Sequence, residues 1–248
     1  MIYTKQTYNI KAKKPHDFIG SKVRGAFGYA LKEEVCINPT FECKECFALK
    51  ECIFYKFYEE QNTTHNYRLD FKLFSQKYKF SLLLFNDAQN HKDVIAKAML
   101  NSLKENKEIT FKEKQKTLKT KKRSKVIKLE FLTPLRMKKQ NRFATRDIEL
   151  LDILLSIHKR HLDLQKIPYE RVKIDTSYKT VSKNLRYEEL TRRSNKQKMT
   201  MNLGGLMGEM IISDVNEEVY NLLKIGEVIG AGKSTVFGLG KIKVEDLG

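Results

Sequence analysis

The sequence has no apolar run long enough to span a bilayer, and its N-terminus carries no secretory signal. Residues 1–14, MIYTKQTYNIKAKK, lack the apolar stretch and the small-residue cleavage site that such a signal requires. These absences predict a cytoplasmic protein with no membrane partner. Only four cysteines occur in 248 residues, and in a reducing compartment they are not expected to form a disulfide framework.

Acidic residues are scarce relative to basic ones. The chain has 48 Lys and Arg against 30 Asp and Glu, a formal net charge of +18. Between Lys112 and Arg142, thirteen basic residues are accompanied only by Glu113 and Glu130. A field of this sign attracts polyanions, and its clustering favours nucleic acid over a merely soluble surface. We therefore expect the stretch to follow a phosphate backbone.

The first half of the chain predicts the element order β-α-β-β-α-β. Alternating segments indicate strands, and apolar residues at helical spacing indicate the two helices. The predicted elements are residues 2–12, 19–35, 67–75, 78–85, 92–104 and 108–118. This order is the split βαβ, or ferredoxin-like, motif, in which two helices cover one face of a four-stranded antiparallel sheet.

A second round of similar elements follows at once. Its predicted strands and helices are residues 126–133, 148–164, 171–183, 199–213, 217–223 and 236–244. The predicted fold class is α+β, a tandem of ferredoxin-like (RRM-like) domains that divides near Arg123. Residues 1–123 form the first domain, with a cysteine-rich insert at 36–66, and residues 124–248 form the second, with a glycine-rich loop at 230–240.

The glycine-rich loop is the sharpest local feature of the sequence. Glycines allow positive φ and close approach, so successive N–H groups could converge on phosphate oxygens while a lysine adds charge. A nucleotide-binding P-loop is excluded by spacing, because the first glycine that it requires falls at Glu227. The other alternative is a turn without ligand. The candidate RNA-binding residues of this loop are Gly230, Gly232, Lys233, Ser234, Thr235, Gly238 and Gly240.

Further RNA contacts are expected from basic residues of the second domain. Arg136 belongs to the basic stretch described above, whereas Arg192, Arg193 and Lys196 lie between two predicted strands. From there they could reach across an RNA groove, or they could belong to a solvated loop.

Four cysteines share one short segment with the spacing C-x6-C-x2-C-x5-C. Cys36, Cys43, Cys46 and Cys52 could wrap a tetrahedral Zn²⁺ as a closed, structural site. An iron–sulfur cluster uses the same ligands and is the less favoured occupant. The alternative without metal is four ordinary thiols packed against neighbouring phenylalanines.

Four sequence blocks resemble a CRISPR repeat-processing endoribonuclease of the RAMP superfamily. They are SKVRGAFGYALKEEVC, KLEFLTPLRMK, RRSNKQKMTMNLGGLMGEM and IGAGKSTVFGLGKIKV. The resemblance implies binding of CRISPR repeat RNA and cleavage within each repeat, without a metal or other catalytic cofactor. It further implies attack by a 2′-hydroxyl to give a 2′,3′-cyclic phosphate. Two alternatives stay open: a non-catalytic RAMP subunit holding guide RNA among the subunits of a CRISPR effector complex, and an RNA-binding protein unrelated to CRISPR.

Cleavage of this kind needs a base for the 2′-hydroxyl proton, an acid for the leaving oxygen and cations near the developing charge. Histidine suits proton transfer near neutrality, which makes His16 and His65 candidates. The resemblance implies a catalytic tyrosine on the first helix, at Tyr29. The histidine that should follow that helix is replaced by cysteines and lysines, so catalysis falls to His65, to His16, or to Tyr29 with Lys32, or has been lost.

Overall fold

Two four-stranded antiparallel sheets organise the chain. The computed structural model describes residues 1–15, 18–103, 108–121, 124–139, 141–170, 172–194 and 199–248, without the side chains of 192–194, 199 and 200. One sheet belongs to an N-terminal unit, Ile2–Thr117, and the other to a C-terminal unit, Leu118–Gly248 together with Met1. The boundary predicted near Arg123 falls on a residue outside those described.

The N-terminal unit contains the predicted order of strands and helices, with one additional short helix. Its elements are β1 (Ile2–Lys11), α1 (Ile19–Val35), α2 (Ile53–Tyr58), β2 (Tyr67–Phe71), β3 (Lys79–Leu84), α3 (Lys92–Leu103) and β4 (Glu108–Thr117). Helix α2 lies within the predicted cysteine-rich segment. None of the helices in the described parts of the chain is long and apolar enough to cross a membrane.

The strand order of the N-terminal sheet is β2-β3-β1-β4, with every neighbouring pair antiparallel. Strand β1 buries its even-numbered residues, from Thr4 to Ile10, and helices α1 and α3 pack against each other. Gln6 is fully buried, but its amide donates to the Lys92 carbonyl at 2.8 Å and to Glu113 Oε2 at 2.9 Å. The hydrogen bonds satisfy this polar group and tie β1 to the start of α3.

The C-terminal unit repeats the arrangement and adds two short ribbons. Its elements are β5 (Ile127–Leu135), β6 (Lys138–Lys139), β7 (Arg142–Phe143), α4 (Leu150–Gln165), β8 (Lys179–Glu188), β9 (Thr191–Ser194), β10 (Met199–Asn202), β11 (Gly205–Ser213), α5 (Glu217–Ile229) and β12 (Ile242–Asp246). The segment predicted as one strand over 199–213 is divided into β10 and β11, because regular pairing is interrupted at Leu203 and Gly204, although the register with β9 and β8 is the same on both sides.

The C-terminal sheet has the order β12-β5-β11-β8, which is the order of the first sheet once the strands are renumbered within the unit. Helices α4 and α5 pack against each other, with Ile153, Leu154 and Leu223 buried. The predicted α+β tandem of ferredoxin-like domains is therefore confirmed.

A buried threonine joins the glycine-rich loop to the central strand β5. The Thr133 hydroxyl donates to the Gly238 carbonyl at 3.0 Å and accepts from the Lys241 amide at 2.9 Å. At Gly240, φ is +66° and an added Cβ would lie 1.8 Å from the Ala231 carbonyl oxygen. Only glycine allows the two backbone segments to approach this closely.

We expect Gly240→Ala to lower the free energy of unfolding by more than about 1 kcal/mol, because the new Cβ meets backbone that cannot move aside. Urea denaturation followed by circular dichroism measures the change. Gly25→Ala is the matched control, since nothing lies within 4 Å of a Cβ there, and helix propensity should raise stability by about 0.5–1 kcal/mol. Equal effects of the two substitutions would contradict the close approach at Gly240.

Candidate nucleic-acid interface

Three lysines of β4 form a row on the face of the N-terminal sheet that the helices leave uncovered. Phe111 contacts the ring of buried Tyr8 with centroids 5.3 Å apart, and Glu113 pairs with Lys92 at 2.8 Å, so both point towards the helices. Side chains alternate between the two faces along a strand. The exposed residues Lys112, Lys114 and Lys116, called here the lysine row, therefore share the opposite face.

The same face carries further positive charge beside the lysine row. Lys5 lies directly across from Lys114 in the register and pairs with Asp70 at 3.2 Å. Arg68, on β2, is only 1% exposed. Burial lowers the pKa of its guanidinium, and the charge of Asp70 opposes that shift. Asp70 therefore interacts electrostatically with both Lys5 and Arg68. The lysine row adds positive charge to that of these two residues.

Lysines on an edge strand have a second physical role. Strand β4 is at the edge of its sheet, and charged side chains at such an edge discourage pairing with another chain. That role needs lysines somewhere along the edge but does not require phosphate contacts. Dependence of RNA affinity on salt distinguishes the two roles.

A second cationic surface lies at the end of β5. It consists of Arg136, Lys138, Phe143 and Ser234 and is called here the Arg136 cluster. The Arg136 guanidinium donates to Ser234 Oγ at 2.9 Å and to the Asn202 carbonyl at 3.0 Å, and it lies 4.3 Å from the ring centroid of Phe143. The Lys138 ammonium lies 5.5 Å from the same ring, which is 38% exposed. An exposed ring between two cations can stack on a base while the cations meet phosphates.

The glycine-rich loop is held against this cluster by its own backbone. The amide of exposed Lys233 donates to the Arg136 carbonyl at 2.8 Å. The amides of the four predicted glycines also donate within the protein: Gly230 to the Gly226 carbonyl, Gly232 to Ser156 Oγ, Gly238 to the Thr235 carbonyl and Gly240 to the Pro134 carbonyl. These glycines therefore allow tight packing and do not form the open phosphate cradle expected from the sequence.

The other predicted RNA-binding residues have different surroundings. Thr235 is 2% exposed, so its hydroxyl is not presented to a ligand, whereas Ser234 is half-buried beside Arg136. Arg192 and Arg193 belong to β9, which pairs with β10 to form a ribbon. Lys196 lies outside the described residues. The ribbon is a structured element where the sequence suggested a loop.

Tyr29 and Lys32 occupy one side of α1, three residues apart. The Tyr29 side chain is 77% exposed, so its hydroxyl is available to a ligand. The Lys32 ammonium lies 5.4 Å from the ring centroid of Phe41 and 5.2 Å from that of Phe54. These two rings belong to the cysteine-rich segment and to α2, which therefore help to position the Lys32 cation.

His65 lies between α2 and β2. Its Nδ1 is 2.8 Å from the Lys56 carbonyl oxygen. A carbonyl only accepts, so Nδ1 carries the proton in the neutral ring and Nε2 holds the lone pair. This is the tautomer that a general base needs in order to accept a proton at Nε2. His16, the other candidate, lies outside the described residues.

An arginine that the sequence did not single out fastens α2 to α1. Arg24 Nε donates to the Tyr67 hydroxyl at 3.0 Å, and its guanidinium lies 4.4 Å from the Tyr58 ring centroid. The Tyr58 hydroxyl donates to the Arg24 carbonyl at 2.7 Å. Burial raises the pKa of both tyrosines, so both hydroxyls stay neutral. Gly28 makes room for this contact, because its added Cβ would lie 2.6 Å from Tyr58.

The four cysteines line one pocket, together with His91. All four are free thiols of intermediate exposure. Burial raises the pKa of Cys43, and Lys32 opposes that shift. Within the described residues, no group of three or more His, Cys, Asp or Glu side chains is already arranged to hold a metal ion.

The sequence matches two protein-family models, one in each half of the chain. Residues 129–242 match the family model described as CRISPR-associated endoribonuclease Cas6. That segment is similar to the Cas6 family. The resemblance to a CRISPR repeat-processing endoribonuclease of the RAMP superfamily is thus confirmed. Residues 3–122 match a second model, described as an N-terminal domain, and no curated protein matches the chain.

Solved structures of Cas6 proteins share the fold over nearly the whole chain. A Cas6 product complex matches with a TM-score of 0.62 at 14% identity, covering 99% of both chains. Cas6 of Thermus thermophilus matches with a TM-score of 0.61 at 14% identity, covering 98% of both. A RAMP protein binding different RNA substrates gives 0.53 at 14% identity, covering 99% of this chain and 100% of that one. Both units of the tandem are therefore found in Cas6 proteins.

Replacing the lysine row by glutamine should weaken RNA binding and flatten its dependence on salt. Each lost phosphate contact lowers the slope of log K against log salt by about 0.7 for single strands, so the triple variant should lose about 2. Fluorescence anisotropy with labelled RNA at several salt concentrations measures the slope.

Lys97→Gln is the control for the lysine row, because this lysine lies on α3, on the other side of the sheet, and pairs with Glu34. It removes the same charge as Lys114→Gln. If the two single variants lower affinity and salt slope equally, the lysine row acts only through net charge.

Proposed function

We propose that this protein binds CRISPR repeat RNA and cleaves it once within each repeat, without a metal ion in the reaction. The match of residues 129–242 to the Cas6 family carries this proposal. It is supported by the fold shared with Cas6 structures, one of them a product complex, and by the two cationic surfaces. Association with CRISPR effector subunits stays a prediction from the resemblance.

The two cationic surfaces have the chemistry of RNA contacts. The lysine row provides exposed ammonium groups along one strand, suited to phosphates without selecting bases. The Arg136 cluster adds the half-exposed Phe143 ring, and the glycine-rich loop beside it adds the Lys233 ammonium; the two suit an unstacked base and its phosphate. The contribution of the glycine-rich loop then comes from the side chains of Lys233 and Ser234.

The reaction requires proton transfers that residues of the N-terminal unit can perform. His65 Nε2 takes the proton of the 2′-hydroxyl, and the oxygen attacks the adjacent phosphorus. Tyr29 offers an exposed hydroxyl that can donate to the leaving 5′ oxygen, and the Lys32 cation stabilises charge on the phosphoryl oxygens. The P–O5′ bond breaks as the new P–O2′ bond forms, which gives a 2′,3′-cyclic phosphate and a 5′-hydroxyl.

Incubation with a labelled repeat RNA in EDTA tests the mechanism. A matched RNA with one 2′-deoxy nucleotide at the cut site is the control substrate. We expect cleavage of the first RNA and none of the second, because the deoxy substrate lacks the nucleophile. Cleavage of the deoxy RNA, or a strict need for Mg²⁺, would overturn the mechanism. Tight binding without cleavage would instead favour a RAMP subunit that holds guide RNA.

Variants of the candidate catalytic residues separate their roles. His65→Ala and Tyr29→Phe should each lower the single-turnover cleavage rate by about 10²- to 10⁴-fold, the usual contribution of a general acid or base, with little change in RNA affinity. His161→Ala and Tyr169→Phe, on the C-terminal unit, are the matched controls. A variant of His16 completes the series, and full activity of His65→Ala would transfer the role of base to another group.

A further inference from the structure

The cysteine-rich segment has little that would hold it in place by packing. Residues 37–51 form turns without a helix or strand. Phe47 is 77% exposed and Phe41 is 45% exposed, so the aromatic side chains of the segment do not build a core of their own. Phe41 and Glu45 also have positive φ, each +58°, a conformation that costs free energy in residues other than glycine.

Each cysteine nevertheless sits at a defined point of the backbone. Cys36 ends α1, and its amide donates to the Lys32 carbonyl at 2.9 Å. Cys52 precedes α2, and its amide donates to the Ala48 carbonyl at 3.0 Å. Between them, the Cys46 amide donates to the Cys43 carbonyl at 3.2 Å and closes a tight turn. Two thiols are thus anchored at helix ends and two share a turn.

The backbone arrangement brings all four thiols to the wall of one pocket. The described cysteines are all four that the chain contains. Four thiolates are the donor set of closed structural zinc sites, and a pair separated by two residues is the usual ligand spacing of such sites. Among the described residues that line this pocket, His91 is the histidine.

We propose that Cys36, Cys43, Cys46 and Cys52 bind one structural Zn²⁺ that fastens the cysteine-rich segment between the end of α1 and the start of α2. Binding requires the four thiols to converge, because the described side chains are not arranged around a metal ion in this structure. The thiols release their protons as the thiolates bind, and the metal's binding free energy orders the segment. A closed shell of four thiolates leaves no position for RNA or water, so the ion takes no part in cleavage.

Metal analysis of the full-length protein tests the proposal without reference to RNA. Protein purified without chelators should contain about one zinc ion per chain by inductively coupled plasma mass spectrometry. Co²⁺ replacing the zinc should give the visible absorption of tetrahedral thiolate coordination. The Cys43→Ser and Cys46→Ser variants should each lose most of the zinc. The melting temperature of the wild-type protein should fall when a strong chelator removes the zinc.

His91→Ala is the control variant, because His91 lines the same pocket and its replacement leaves all four thiols in place. It should retain the zinc, whereas loss of zinc in this variant would overturn the four-cysteine ligand set. Iron with acid-labile sulfide would replace the zinc assignment by a cluster. Absence of bound metal, with all four thiols reactive in a protein folded by circular dichroism, would refute a metal site altogether. None of these results depends on whether the protein cleaves RNA.

Discussion

The alternation of side chains along a β-strand is the constraint on which both the core and the cationic surface of the N-terminal unit depend. On β4, Phe111 and Glu113 face the helices, and the lysines between them must therefore face the other side. The helices cover one face of the sheet only. The same strand consequently contributes to the hydrophobic core and to a cationic surface, and a shift of one residue in register would exchange the two.

In the C-terminal unit, close backbone approach at the end of β5 plays the organising part. Thr133 bonds to Gly238 and Lys241 at the C-terminal end of the glycine-rich loop, and Gly240 lies against Ala231 at a distance that a Cβ would prevent. The loop is thereby fixed beside Arg136, whose guanidinium reaches Ser234 and Phe143. The glycines act through geometry, and the side chains around them supply the charge.

Much of the fold could be predicted from the sequence, because the alternation and helical spacing of apolar residues are local properties. The order of the strands of the two four-stranded sheets and of the helices α1, α3, α4 and α5 was correct, whereas helix α2 and the β6–β7 ribbon were not predicted. The strand expected over 199–213 is interrupted at Leu203 and Gly204, and the two pieces keep the same register against β9 and β8, so nothing in the sequence signalled the break. Arg24 was missed because its partners, Tyr58 and Tyr67, are more than thirty residues away in the chain.

The sequence by itself determined the excess of positive charge, the tandem of similar units, the spacing of the cysteines and the motifs of a CRISPR endoribonuclease. Only the tertiary structure decided which groups are available. It turned the glycine amides inward, buried Thr235, exposed Tyr29 and placed Nδ1 of His65 against the Lys56 carbonyl. The sequence gives the type of each residue. Its burial and its hydrogen-bond partners depend on segments that are distant in the sequence and meet only in the folded protein.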